Sequence, residues 1–454
     1  MSRIRPLFFV FALCCLMLTA VLAAPSLQAL STTPDWTAVE VDQAGALLGN
    51  NVSRAGDVNG DGYDDVLAGA RLLDNPEVDE GKTFLYLGSA AGLSLTPDWT
   101  FESDQPGAQL GRASAAGDVN GDGFGDVIVG AGLYDGDQVD EGRAWLFLGS
   151  SSGLSTTPSW IVESNQTLST FGVNAVGVGD INSDGFDDVM VSAAFHDFDL
   201  VDEGGAFFYL GSASGPSTTP SLVIEGDQAG SQFGRAASAG DFNGDGFDDV
   251  IIGAQFWDGG EQDEGRVFVL RGCAKGLKKY PWRILEINEA GALFGNVLGT
   301  AGDINADGFD DILVSAQGTG VVQRVFVYMG SAAGPVGPDL VLQADQVSGF
   351  GGSHGTAGDV NNDGFSEVIV GARLYDVATT NEGRVFVYRG TASGLDPTPL
   401  QTLDGSQTSE EFGVAVSTAG DVNGDGFSDI IIGAHAFDNP EGNEGRVLVF
   451  HGGP

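Results

Sequence analysis

The chain has 454 residues, with 63 acidic side chains against 19 lysines and arginines and a net charge of −44. A field of that sign and size repels nucleic acid and anionic membrane surfaces, so neither is expected as a partner. Glycine, at 71 residues, stands at about twice its usual share, but it is interspersed with β-branched runs and forms no low-complexity tract.

Residues 1–29 have the form of a secretory signal: Arg3 and Arg5, an apolar run from Leu7 to Ala23, and small residues at Ala23, Ala24 and Ala29 for cleavage. The apolar run approaches the length of a membrane span, so a retained anchor is the alternative. No second such segment follows, and no membrane span is expected in the mature chain. Cys14 and Cys15 lie inside this leader, which leaves Cys273 alone and no intrachain disulfide. The expected organisation is a signal over 1–29 and a single domain over 30–454, secreted or held at the cell surface.

From residue 57 onward a nine-residue loop, Asp-x-Asn-x-Asp-Gly-x-x-Asp, returns seven times, at spacings of 61, 62, 61, 62, 56 and 62 residues. Oxygen-bearing side chains recur at positions one, three, five and nine, and the main-chain carbonyl at seven is available. That is the opening of a calcium loop, with glycine at six for the sharp turn. In order, the candidate ligands are Asp57, Asn59, Asp61, Tyr63 and Asp65, then Asp118, Asn120, Asp122, Phe124 and Asp126. The third and fourth sets are Asp180, Asn182, Asp184, Phe186 and Asp188, and Asp241, Asn243, Asp245, Phe247 and Asp249. Next come Asp303, Asn305, Asp307, Phe309 and Asp311, then Asp359, Asn361, Asp363, Phe365 and Glu367, the one acidic swap. The last set is Asp421, Asn423, Asp425, Phe427 and Asp429. Tyr63 and the phenylalanines would contribute their carbonyls. Such clusters also make ordinary turns, but seven copies in register point to Ca²⁺, up to seven ions. No thiolate or imidazole is present to draw zinc or copper.

The loop is not an EF-hand. Position twelve, which should be a bidentate Glu ahead of a helix, is Ala68, Val129 or Val191 in the first three copies. The runs that follow (126–131, 249–254, 429–434) are short, β-branched and end in Gly-Ala, as buried strands do. Each unit shows four candidate strands. A Phe-Gly or Leu-Gly strand leads into the loop, the β-branched run follows, an alternating strand comes after a turn, and a fourth carries Trp99, Trp160, Trp282 or an aliphatic residue. Four-stranded units at a period above fifty residues predict an all-β fold, a seven-bladed β-propeller. The seventh unit lacks its fourth strand, and residues 34–40 match residues 97–102. The N-terminal strand is therefore expected to complete blade seven and close the ring.

Phe-Gly and Gly-Ala flanking an Asp-x-Asn-x-Asp-Gly-x-x-Asp loop resembles the FG-GAP repeat of the integrin alpha-subunit propeller, over essentially the whole mature chain. The resemblance implies the propeller, calcium, and a role in adhesion or recognition of an extracellular protein or glycan ligand. Two features depart from it. Arg71, Gly132, Gln255 or His435, and not proline, follow Gly-Ala, and all seven blades carry the calcium loop where integrins use only some.

The face opposite the calcium loops should gather the loops between second and third strands. There an aromatic or bulky residue precedes Asp at Leu73-Asp74, Tyr134-Asp135, His196-Asp197, Trp257-Asp258, Tyr375-Asp376 and Phe437-Asp438. Tyr134, Trp257, Tyr375 and Phe437 are the candidate ligand contacts, able to stack a sugar or anchor a protein loop. The alternative is that these rings cover the ends of the blade cores while Asp caps the turn. Downstream acids (Glu80, Glu141, Glu203, Glu264, Glu382, Glu444) read as turn residues pointing to water, and the basic cluster at 271–283 as a solvated loop between two blades. An enzyme acting on polysaccharides and a passive matrix component remain as alternatives. No catalytic residue is assigned, although His196, His354, His435 and His451 break the repeat.

Overall fold

A computed structural model describes residues 29–38, 41–318 and 322–454. The leader lies outside these residues except for Ala29, as do Val39, Glu40 and Gly320. The seven β-branched runs are strands buried along all six residues: β3 (Asp65–Ala70), β7 (Asp126–Ala131), β11 (Asp188–Ala193), β15 (Asp249–Ala254), β19 (Asp311–Ala316), β23 (Glu367–Ala372) and β27 (Asp429–Ala434). Burial on both faces explains why they are continuously apolar rather than alternating.

Each is the second strand of a four-stranded antiparallel sheet. In blade one the order is β2 (Leu48–Gly56), β3, β4 (Lys82–Tyr86) and β5 (Trp99–Glu102), and the other blades repeat it. Seven such sheets make the propeller. In blade seven the order is β26 (Ala415–Gly420), β27, β28 (Arg446–Phe450) and β1 (Trp36–Ala38). Trp36 pairs with Val449 and Ala38 with Val447, so the N-terminal strand closes the ring as the sequence predicts. Trp36 also donates its indole N–H to Ser94 O in blade one, as Trp99 does to Ser155 O and Trp160 to Ser217 O, each one blade further on. Trp282 differs from the expectation: it falls just before β17 (Arg283–Leu285) and outside any strand, its ring between the guanidiniums of Arg271 and Arg283.

The Phe-Gly and Gly-Ala pairs meet across the blade interface. A Cβ on Gly69 would sit 1.9 Å from the Gly111 carbonyl oxygen of the next blade, and the same contact recurs at Gly130–Gly172, Gly253–Gly295, Gly371–Gly413 and Gly433–Gly49. Two backbones touch there, an approach that glycine permits. Blades three and five carry Ser192 and Ser315 at this position. The interface is filled by side chains from neighbouring sheets, as where Leu67 and Leu85 of blade one pack with Val127, Val129 and Phe147 of blade two.

Candidate metal centres and ligand rim

The seven Asp loops all connect the first and second strands and so share one face. Within the first, both Asp57 oxygens accept main-chain N–H bonds, Oδ1 from Gly60 (2.7 Å) and Asp61 (3.1 Å) and Oδ2 from Gly62 (2.8 Å). Neighbouring loops are hydrogen-bonded to one another. The N–H of position eight donates to the main-chain oxygen of position one in the preceding blade: Gly125 to Asp57, Asp187 to Asp118, Asp248 to Asp180, Asp310 to Asp241, Ser366 to Asp303, Ser428 to Asp359 and Asp64 to Asp421. The last of these crosses the closure, and the ring of loops is continuous. The ring at position seven wedges over the glycine at position four of the preceding loop, with Phe124 on Gly60, Phe186 on Gly121, Phe309 on Gly244 and Tyr63 on Gly424.

Position nine lies deepest. Asp65, Asp126, Asp188, Asp249, Asp311, Glu367 and Asp429 are all fully buried. Asp65 accepts from Val58 N–H (2.9 Å) and from Gly88 N–H (2.8 Å) beyond the third strand, and the same clasp recurs at Asp126, Asp188, Asp311 and Asp429. Burial pushes Asp65, Asp126, Asp188, Asp311 and Asp429 up to about 7, against the pull of those N–H bonds and with the carboxylates at positions one and five adding repulsion. Asp249 is pushed up to about 6 and Glu367 to about 8. Each carboxylate oxygen keeps a further lone pair, so the clasp and a cation can share it.

The donor set fits a hard divalent cation: oxygens only, rich in carboxylate, with a buried carboxylate at position nine of every loop. The loops are not alike, however. In loops one, two, five and seven the Asn at position three accepts the N–H of position five, at 2.8–2.9 Å, within the loop. In loops four and six it turns inward to the ninth residue instead, Asn243 to Asp249 and Asn361 to Glu367. The position-five carboxylate of those same two loops is held by an arginine, Asp245 by Arg271 (2.6 Å) and Asp363 by Arg389. In no loop do three carboxylates approach within 4.8 Å of one another. Among the described residues the one acidic trio that does is Glu203, Glu225 and Asp227, on the opposite face of blade three.

On that opposite face the Asp of each aromatic–Asp pair closes its own turn. Asp135 accepts from Asp140 N–H and Asp258 from Asp263 N–H, both at 2.7 Å. Its main chain is gripped by a glutamine from the preceding blade: Gln105 donates to Asp135 O (2.7 Å) and accepts from its N–H (2.6 Å), and Gln166 and Gln228 do the same to Asp197 and Asp258. The glutamines recur at an almost constant 30 or 31 residues before the Asp, a periodicity the sequence carried openly.

The downstream glutamates correct the expectation that they face water. Glu80, Glu141, Glu203, Glu264, Glu382 and Glu444 are all at most 4% exposed. Where the turn brings N–H groups round, they accept them, Glu203 from Phe198 and Leu200, Glu382 from Ala378 and Thr379. The basic cluster is also placed differently, lying between β16 (Arg266–Leu270) and β17 within blade four rather than between blades.

Tyr134, Trp257, Tyr375 and Phe437 share one geometry. Each ring has a guanidinium over it from the start of the third strand: Arg143 at 4.0 Å, Arg266 at 4.6 Å, Arg384 at 4.6 Å and Arg446 at 3.9 Å. Tyr375 is buried and bonds Asp345 through its hydroxyl, whereas Trp257 fronts a small cleft with Phe268 and the exposed Tyr280. The histidines do not converge. His196 meets Phe198 in a tilted ring contact, His354 is buried in β22 (Phe350–Gly358) with its imidazole pushed down to about 4 by burial, and His435 bonds Glu411. His451 lies beside Asp35.

A ring of loops tied head to tail at one face of a seven-bladed sheet array defines the class. Five stretches, residues 49–86, 110–147, 233–270, 351–388 and 412–450, match the FG-GAP repeat family. They are blades one, two, four, six and seven; blades three and five, outside the matches, are the two with serine at the interface glycine. The chain is similar to integrin alpha-5 of Xenopus laevis, 31% identical over 258 residues, covering 54% of this chain and 24% of that protein. It is likewise similar to integrin alpha-IIb of Mus musculus, 32% identical over 224 residues and 46% of this chain, and to integrin alpha-4 of Xenopus laevis at 30% over 258 residues. The chain spans about a quarter of the length of these relatives. Among the described residues no helix is long and apolar enough to cross a membrane.

Proposed function

We propose that this chain is a calcium-stabilised recognition module, secreted or displayed at the cell surface, that binds an extracellular protein or glycan and carries out no catalysis. The observation that supports it best is the closed ring of oxygen-donor loops. Each has a fully buried ninth carboxylate, and the loops are bonded to one another round the closure. Ca²⁺ would be held by the side chains at positions one, three, five and nine and the carbonyl at seven. It would supply charge compensation to carboxylates that are costly to ionise without it. Loops one, two, five and seven, whose position-five carboxylates meet no arginine and accept only from within the loop, are the stronger sites. Loops four and six, where an arginine already occupies that carboxylate, are the weaker.

The similarity to integrin alpha chains supports adhesion or recognition as the role. Ligand contact is assigned to the face away from calcium, with Trp257, which fronts the cleft with Phe268 and Tyr280, as the leading residue and Tyr134 and Phe437 around the rim, while the buried Tyr375 supports the rim from beneath Arg384. The test is a calorimetric Ca²⁺ titration of the metal-stripped chain, with melting followed in calcium and in chelator. Four or more sites and a large rise in melting temperature are expected. Absence of both would reduce the Asp loops to turns. For the rim, Trp257→Ala and Tyr134→Ala should leave calcium binding intact and weaken capture of a ligand found by glycan or protein screening; unchanged affinity in both variants would remove the rim from the site.

A further inference from the structure

The first strands of all seven blades line the propeller axis, and their starts surround a cavity of about 390 Å³ at the face opposite the calcium loops. The residue directly after the Phe-Gly or Leu-Gly glycine lines it in every blade but the third. Blades two and four place Arg112 and Arg235 there, on either side of blade three, and Asn51, Asn174, Asn296 and Ser353 complete the wall. In this acidic chain most arginines of the blades meet a carboxylate, as in Arg54–Asp64, Arg143–Glu163, Arg266–Glu286, Arg324–Glu289 and Arg384–Asp404. Arg112 and Arg235 do not. Among the described residues the Arg112 guanidinium donates only to the Val173 carbonyl (3.1 Å), and the Arg235 side chain has no hydrogen bond or ion pair, its main-chain N–H alone donating to Gln232 O.

Arg71, at the end of β3, adds a third charge beside them, also without an ion pair among the described residues. Its Nε is buried and meets no acceptor. Arg112 and Arg235 keep solvent access from the open channel, and the charges of Arg235 and Arg71 repel that of Arg112. Crowding by the channel wall, followed by the charges of Arg235 and Arg71, pushes Arg112 below its ordinary value, and the same crowding does so for Arg235, though both side chains stay open to solvent. Further along the axis towards the calcium face the lining changes sign, with Asp248 and Asp310 beside a second cavity. The axial channel is thus basic at one end and acidic at the other.

We infer that the basic end of the channel is a binding site for a compact oxyanion, a dicarboxylate or sulfate group clamped between Arg112 and Arg235 with the asparagine amides as further donors. Guanidinium forks match such oxyanions in paired hydrogen bonds. The cavity has room for a small dianion or for one acidic side chain presented by a partner protein, and the Asp248/Asp310 end keeps the anion from travelling deeper. The site is separate from the calcium loops and from the rim aromatics, and it stands whether or not either of those binds as proposed.

The test uses the full calcium-loaded chain at constant ionic strength. Succinate and sulfate are titrated against chloride by calorimetry and melting, and a capped peptide of consecutive glutamates is titrated in parallel. Expected is saturable binding of succinate or sulfate beyond chloride, weakened about tenfold or more by Arg112→Gln with Arg235→Gln. The calcium titration should be unchanged in that variant. In the absence of anion the variant should melt no lower than the parent chain, since mutual repulsion has been removed; Arg235→Gln alone serves if the double variant does not fold. Binding of the peptide without the free ions would assign the source as a partner's acidic side chain. No binding of either beyond chloride, or equal binding by parent and variant, would overturn the inference.

Discussion

Arg271 and Arg389 set two of the seven loops apart, because each pairs its guanidinium with the position-five carboxylate that the proposed calcium site would use. The pairs are partly exposed, so each is worth about 1 kcal/mol or less. Arg271→Gln is accordingly expected to raise the calcium affinity of loop four by about two- to fivefold, read as a tightening of the weak phase of a calorimetric titration. A single methyl group at the blade interface has a larger effect. Gly69→Ala would drive a Cβ to 1.9 Å from the Gly111 oxygen, and as backbone is met on the far side, nothing flexible can yield. A loss of about 3 kcal/mol is expected, measured as a lower urea midpoint in saturating calcium. At this scale much was legible: the loop residues, the glycine pairs and the aromatic–Asp pairs were all visible as periodic residues. Their partners were not. The burial of Glu80 and its counterparts, and the arginines over Tyr134 and Trp257, depend on which side chains the turns bring together.

The fourth strand of blade seven is the element on which the ring depends. Among the described residues β1 contributes three paired residues to β28, and Trp36 adds an edge-on contact with Tyr86 at 4.8 Å and the indole bond to Ser94 O in blade one. Trp36→Ala should cost about 3–5 kcal/mol and broaden the unfolding transition as blade seven loosens from blade one. A chain lacking residues 29–38 would expose the edge of β28 and is expected to self-associate, seen as a shift to larger species on size-exclusion chromatography. The element count, the four-strand order and the closure were all readable from period and pattern. Trp282 was not, because a tryptophan flanked by two arginines can be held by their guanidiniums without entering a strand.

Across the whole molecule the buried ninth carboxylates give an unusual pH dependence. Their folded values lie at about 6 to 8, above the roughly 4 of an unfolded carboxylate. Between these limits the native chain holds more protons than the unfolded one, so stability falls as pH rises. His354, pushed down to about 4, and His196, also lowered by burial, act oppositely below about 6.5 but are two groups against seven. The metal-stripped chain should therefore melt at a higher temperature at pH 5.5 than at pH 8, and calcium should reverse the order; a chelated protein more stable at pH 8 would contradict the assignment. The repeat period, the loop chemistry, the propeller and its closure were determined by the sequence itself, because each is a local pattern copied seven times and copies reveal register. What only the tertiary structure decided is how the copies differ: which loops lose a carboxylate to an arginine, and which arginines are left facing the axis with no acid. Those outcomes depend on contacts between residues a blade or more apart, which no local pattern encodes.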